Sequence, residues 1–243
     1  MGCAAPQADL DPYQDLAYPL KEGESMPDSD LSLVIGNKIW SSWSLRPWLV
    51  MRRFGIPFKE VSVKLRQGDT KSSILAHSPA GKVPALKHGN LLIWDSLAII
   101  EYLADLYPEH PIWPRDRIAR GIARAVSAEM HAGFMKLREI CPMDLFAVKP
   151  METFPEAIDH NIRRIVHSFH DCRTNYGAEG PFLFGDFSAA DAMYAPVCSR
   201  FRTYVPDLAR FGDDGTTARY IETIFAMPEM EEWAEGARKE SAL

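Results

Sequence analysis

Between Leu31 and Val63 the hydrophobic period switches from two to about 3.6 and back within one short segment, and this most narrows what the chain can fold into. Leu31 to Ile35 is a short β-type run, interrupted by Gly36-Asn37-Lys38. Leu45, Trp48, Leu49 and Met51 to Phe54 then fall at helical spacing, and Gly55-Ile56-Pro57 ends that helix. Phe58 to Val63 returns to strand character, with Phe58, Val61 and Val63 flanking Lys59 and Glu60. A strand, helix and strand within about thirty-five residues is the length of one βαβ unit, which requires a parallel pair joined by a crossover.

The pattern continues in the same register. A polar stretch with a short helical piece runs to His77. Val83-Pro84-Ala85-Leu86 and Leu91-Leu92-Ile93 flank the turn signal His88-Gly89-Asn90, so two antiparallel strands are expected. Leu97, Ile99, Ile100, Leu103 and Leu106 give a helix over 95–106, which Pro108 and Pro111 bar from continuing. The expected order is βαβαββα over residues 31–107. After Trp113-Pro114 the character changes, with long helical patterns from Arg115 to Ile140 and from Thr153 to Tyr176. Residues 108–114 therefore read as a linker and 115–243 as an all-helical domain. Residues 1–30, with Pro6, Pro12, Pro19 and Pro27 among acids and small residues, read as an extended tail.

Bulk properties exclude several classes. A hydrophobic fraction of 47% with 25% charged residues is that of a globular chain. The net charge of -6, without a Lys/Arg block, disfavours nucleic-acid binding by phosphate neutralisation. No apolar run approaches the roughly 20 residues of a membrane span, and no secretory signal opens the chain. A cytoplasmic protein without a membrane partner is expected. Cys3, Cys141, Cys172 and Cys198 are widely spaced and form no CxxC pair, so neither a metal site nor a dithiol centre is expected.

The chemistry-bearing segment is Ser41-Ser42-Trp43-Ser44-Leu45-Arg46-Pro47-Trp48, where serines crowd the loop just before a helix with Pro47 in its first turn. Unpaired N–H groups and the helix dipole favour an anion there. A thiol with a pKa near 8.5 is mostly protonated at neutral pH, so a site that stabilises its thiolate raises the nucleophile's concentration. Serine is also a favoured N-cap, which is its commoner role.

With these residues the chain resembles the cytosolic glutathione S-transferases, in particular their serine-using zeta-like and bacterial members, which have a Ser-Ser-Cys-Ser-type loop here. The resemblance spans 31 to about 240 and implies an N-terminal thioredoxin-like domain followed by a helical bundle. Matching Arg46 to the family loop's arginine makes Ser42 the thiolate-stabilising serine, with Ser41 and Ser44 as alternatives. Trp43 stands where the zeta class has cysteine, setting the chain apart from zeta-type isomerases. Val83-Pro84 resembles the family's Val-Pro step with a cis proline, whose valine backbone pairs with the cysteinyl part of glutathione. Asp95-Ser96 resembles the acidic-Ser step whose hydroxyl and N–H groups receive the γ-glutamyl carboxylate while the acid faces the amino group. Lys71 and Lys82 are the expected partners of the glycyl carboxylate.

In the helical half, Gly185-Asp186 leading to Ser188 and Asp191 resembles the family's folding segment and reads as a capping box, a matter of fold and not of chemistry. Met130, His131, Phe134 and Arg138 lie on the first long helix, which the resemblance makes a wall of the second-substrate pocket. Arg200 and Arg202 follow the capped start; an arginine there suits a substrate carboxylate, although arginines ordinarily stay at the surface. The implied function is a transferase conjugating glutathione, as co-substrate and without metal, to a small electrophile. A maleylacetoacetate-type isomerase and a non-catalytic binding or regulatory protein are the alternatives, and a homodimer is implied by the resemblance.

Overall fold

A computed structural model describes residues 30–242. The expected tail over 1–30 lies outside the described residues except for Asp30. The first domain comprises β1 (Leu31–Gly36), α1 (Ser42–Arg53), β2 (Lys59–Val63), α2 (Thr70–Leu75), β3 (Ala85–His88), β4 (Leu91–Trp94) and α3 (Ser96–Leu106). The sheet order is β2-β1-β3-β4, with β1 parallel to β2 and antiparallel to β3, and β3 antiparallel to β4. This is the βαβαββα order that the alternating periods require.

The alternation along β1 sorts its side chains onto two faces. Leu31, Leu33 and Ile35 join the main core with α1 and α3, while Val34 faces the other way into a smaller cluster with Val63, Ile74 and Ala85 beneath α2. Burying each such aliphatic side chain contributes about 1.5–3 kcal/mol. The sheet is thus covered on both faces, as its parallel pair demands.

The second domain contains α4 (Arg117–Ala132), α5 (Met135–Ile140), α6 (Glu156–Tyr176), α7 (Ala189–Tyr204), α8 (Thr216–Phe225) and α9 (Pro228–Ser241). The single helix expected over 115–140 is broken. Gly133 leaves the helix with extended backbone, its N–H held by the Glu129 carbonyl, and a Cβ there would lie 2.7 Å from that oxygen. Phe134 follows in the left-handed region at φ 55, with its ring 8% exposed. Burial of the ring holds a backbone that periodicity alone does not foresee.

Helix α7 is the hub, buried along nearly its whole length against α1 and α4. Its capping box is present, and the Asp191 carboxyl accepts from Leu183 N at 3.0 Å, Ser188 N at 2.8 Å and Tyr220 Oη at 2.9 Å. Helix α9 returns to the first domain. Trp233 packs edge-on against Trp48 at 5.0 Å, and its Nε1 donates to the Lys38 carbonyl at 2.8 Å. Glu240 accepts from Lys38 N at 2.8 Å, and Lys38 in turn pairs with Glu60. The loop from β1 to α1 is therefore held by the last helix.

Candidate functional site

The site is built where that loop meets α1. No side chain caps the first turn of α1 and no acid lies in it; Ser42 N donates to the Trp40 carbonyl at 2.9 Å, and the helix dipole faces the loop without an acidic partner. The three serines separate by their partners. The Ser44 hydroxyl is fully buried, accepting from Gly36 N at 3.1 Å and from Ser41 Oγ at 2.7 Å, which ties the end of β1 to the helix. Ser41, 5% exposed, is committed to that bond. Ser42, 6% exposed, accepts from Arg200 Nη2 at 3.2 Å and, among the described residues, donates to no protein group. Ser42 is the serine whose proton is available.

Trp43 lies between the domains. Arg46 stacks on its ring at 4.0 Å from the centroid, Arg138 lies 5.0 Å away, and His131 meets it edge-on at 5.4 Å. His131 Nε2 in turn lies 3.1 Å from Asp95 Oδ2. Asp95 holds φ 79, and its Oδ1 caps α3 through Leu97 N at 2.9 Å and Ala98 N at 3.2 Å. The amides expected to receive a ligand carboxylate are thus already capped. The adjoining Ser96 hydroxyl is different, being buried without a protein hydrogen-bond partner at the start of the same helix.

Arginine accumulates behind Ser42. Arg46 is fully buried; its Nε donates to the Met193 carbonyl at 3.1 Å, while Nη1 and Nη2 have no protein acceptor. Burial holds its pKa well below the ordinary arginine value, and repulsion from Arg200 and Arg138 lowers it further. Arg200, expected at the surface, is 3% exposed, because α7 is the hub and its side chain lies between that helix and α1. Burial, then repulsion from Arg138, pushes its pKa down to about 10. It remains a cation at neutral pH.

The other expected residues divide. The Val83-Pro84 bond is cis and leads into β3, beside the α1 start that the sheet order places next to it. Lys71 and Lys82 are both exposed. Met130 is fully enclosed in the core, on the α4 face shared with Ala123 and Val126, and so belongs to packing and not to an accessible pocket. His131 and Arg138 are half-buried beside Trp43, with Phe134 forming the break between their helices. Arg46 was foreseen only as a landmark of the loop. Its spacing was the available signal, since i and i+4 put it on the Ser42 face of α1. Among the described residues no cluster of metal-ligating side chains occurs, and no helix is long and apolar enough to cross a membrane.

Comparison with known proteins agrees with this geometry. Residues 40–106 match the family model of the glutathione S-transferase N-terminal domain. A probable maleylacetoacetate isomerase of Caenorhabditis elegans is 34% identical over 108 residues, 44% of this chain and 50% of that protein. The match therefore spans half the length of that relative. Glutathione S-transferase Z2 of Arabidopsis thaliana is 27% identical over 187 residues, 72% of this chain and 83% of its own. In structure, a glutathione transferase homologue from Burkholderia gl BGR1, solved with bound glutathione, superposes with a TM-score of 0.66 at 22% identity. That superposition covers 86% of this chain and 99% of the homologue. Poplar glutathione transferase F1 gives 0.63 at 18% identity, over 86% of this chain and 99% of its own. In the sequence of its first domain and in the fold of its described residues, the chain is similar to the glutathione S-transferases.

Proposed function

We propose that the protein is a glutathione transferase that holds the glutathione thiolate on the Ser42 hydroxyl and conjugates it to a small electrophile. The observation that carries this reading is the Ser42 hydroxyl itself, with its oxygen occupied by Arg200 and its proton free, at an uncapped helix start. The tripeptide is read along the edge formed by Val83-Pro84 and the start of α3, with Ser96 and Asp95 at the γ-glutamyl end and Trp43 and Ser44 shaping the floor. The exposed Lys71 and Lys82 would pair with the glycyl carboxylate. His131, Phe134 and Arg138 would line the second-substrate side, beyond Trp43.

In the reaction the thiol proton leaves to solvent, the sulfur pair forms a C–S bond at the electrophilic carbon, and the leaving group departs with its electron pair. Ser42 donates to the sulfur while it is anionic. A hydrogen bond to a charged group is worth about 1.5–3 kcal/mol, so Ser42→Ala is expected to lower kcat/KM about ten- to a hundredfold with the fold intact. Turnover unchanged by the substitution would remove Ser42 from this role. Similarity to the C. elegans protein favours a second reading, in which the same thiolate adds to a carbon–carbon double bond, permits rotation and is expelled. Maleylacetoacetate turned over without loss of glutathione distinguishes it. A cytoplasmic homodimer is proposed with it. Ile118 and Ile122 support the dimer, since they are 69% and 38% exposed on one outer face of α4. Sedimentation at the mass of one chain would exclude it.

A further inference from the structure

We propose that Arg200 is a positioning residue for the thiolate, fixing Ser42 as a donor toward sulfur and lending its own charge to the sulfur's stabilisation. The inference rests on the glutathione reading above and adds a residue from the helical domain to a site otherwise built by the first.

A serine hydroxyl has one proton to give and two lone pairs with which to accept. Left alone, it rotates among partners, and some of those arrangements present a lone pair to the sulfur. Arg200 has no acceptor capacity, so its Nη2 at 3.2 Å occupies a lone pair of Ser42 Oγ and leaves the proton pointing elsewhere. A hydroxyl that accepts from a cation is also polarised into a stronger donor.

The guanidinium is held for this task. Nη1 donates to the Pro196 carbonyl at 2.9 Å, one turn back along α7, while the buried Nε has no protein partner. Among the described residues no carboxylate pairs with it. The groups whose anionic forms would offset its charge are Cys141 and Tyr204. Burial pushes the Cys141 thiol up to about 11 and raises the Tyr204 phenol, so both stay neutral at pH 7. Arg138 from α5 and Arg46 from α1 face the same region and add positive charge. A buried cation surrounded by cations and neutral groups is costly, and a thiolate at Ser42 is an anion placed to offset it.

The test uses the full chain and two ligands, glutathione and S-methylglutathione, which keeps the tripeptide but has no ionisable thiol. Arg200→Met replaces an unpaired buried charge with an apolar side chain of similar reach, and Arg200→Lys restores the charge. Calorimetry measures binding of both ligands, and thiolate absorbance against pH gives the pKa of bound glutathione. An opposite charge at this range moves a pKa by about 1–3 units, so R200M is expected to raise the bound thiol's pKa by about one unit or more. R200K is expected to recover part of that shift, and S-methylglutathione affinity is expected to change less than about twofold, since its contacts lie elsewhere. A thiol pKa unmoved in R200M, with S-methylglutathione still bound, would overturn the proposal and leave the transferase reading standing. Failure of the unsubstituted protein to bind either ligand would overturn both. If R200M does not fold, Arg200→Gln decides: it removes the charge while keeping a polar side chain, and a bound thiol pKa identical to wild type overturns the proposal.

Discussion

Replacing Asp191 by alanine should be among the most damaging single changes to this fold, and its cost follows from the donors it leaves behind. The carboxyl is fully buried and serves Leu183 N, Ser188 N and Tyr220 Oη, whose residues are 0%, 2% and 1% exposed. Each buried donor left unpaired costs about 1–3 kcal/mol, so three give about 3–9 kcal/mol before offsets. Removing the carboxyl is itself an offset, because burial raises its pKa and only the hydrogen bonds from Leu183, Ser188 and Tyr220 pull it back. Relaxation of the freed Tyr220 hydroxyl is another. A net loss of about 4 kcal/mol is expected, well above the roughly 1 kcal/mol of an exposed cap. Asparagine separates the contributions: its oxygen still serves Leu183 and Tyr220, while its amide nitrogen faces the Ser188 N–H, donor against donor. A loss of about 2 kcal/mol is expected for that one mismatch. Urea unfolding followed by tryptophan fluorescence reads both variants, since Trp48 and Trp233 are core residues. Asp191→Ala within about 1 kcal/mol of wild type, or asparagine as damaging as alanine, would refute the donor-by-donor reasoning.

Two further outcomes follow from the site and the core. Asp95→Asn keeps an oxygen for the α3 cap and a residue type that tolerates φ 79, but loses the charge facing His131. It is expected to raise KM for glutathione several-fold with the urea midpoint unmoved; an unchanged KM would take the charge out of ligand binding. The Cys141 thiol titrates near 9 in an open chain and is pushed up to about 11 by burial, so the native state keeps a proton that the unfolded chain releases. Its contribution to stability is therefore complete below pH 9 and is lost as the pH rises to 11. Cys141→Ala should show a shallower alkaline decline, and parallel curves would disprove the assignment.

What was readable in the sequence is what depends on neighbours along the chain. The period switch between Leu31 and Val63, the turn at Gly89 and the Ser188-to-Asp191 box are local signals, and each became the expected element. Ser42 was legible as a serine at a helix start, but the helix begins at Ser42 itself, so Pro47 lies inside it and not in its first turn. The break at Gly133-Phe134 was not, because α4 and α5 share one apolar period and burial of the phenylalanine ring decides the backbone. The pairs that make the site were hidden for a different reason. Asp95 and His131 are separated by the domain boundary, and Ser42 and Arg200 by most of the chain, so their contacts exist only after α1 packs on α7. Arg200 was misplaced at the surface because composition-based expectation knows nothing of which helix becomes the hub.

The hold of α9 on the loop before Ser42 has a consequence for how the protein is made. Chains emerge from the ribosome N-terminus first, and domains generally fold in that order. The first domain can gather its sheet as soon as β4 and α3 have emerged. Lys38, however, receives Trp233 and Glu240 only after the whole helical half has been made. The nascent chain therefore carries its serine loop unfastened through translation of the helical half, and the loop's geometry is set only when α9 docks on it.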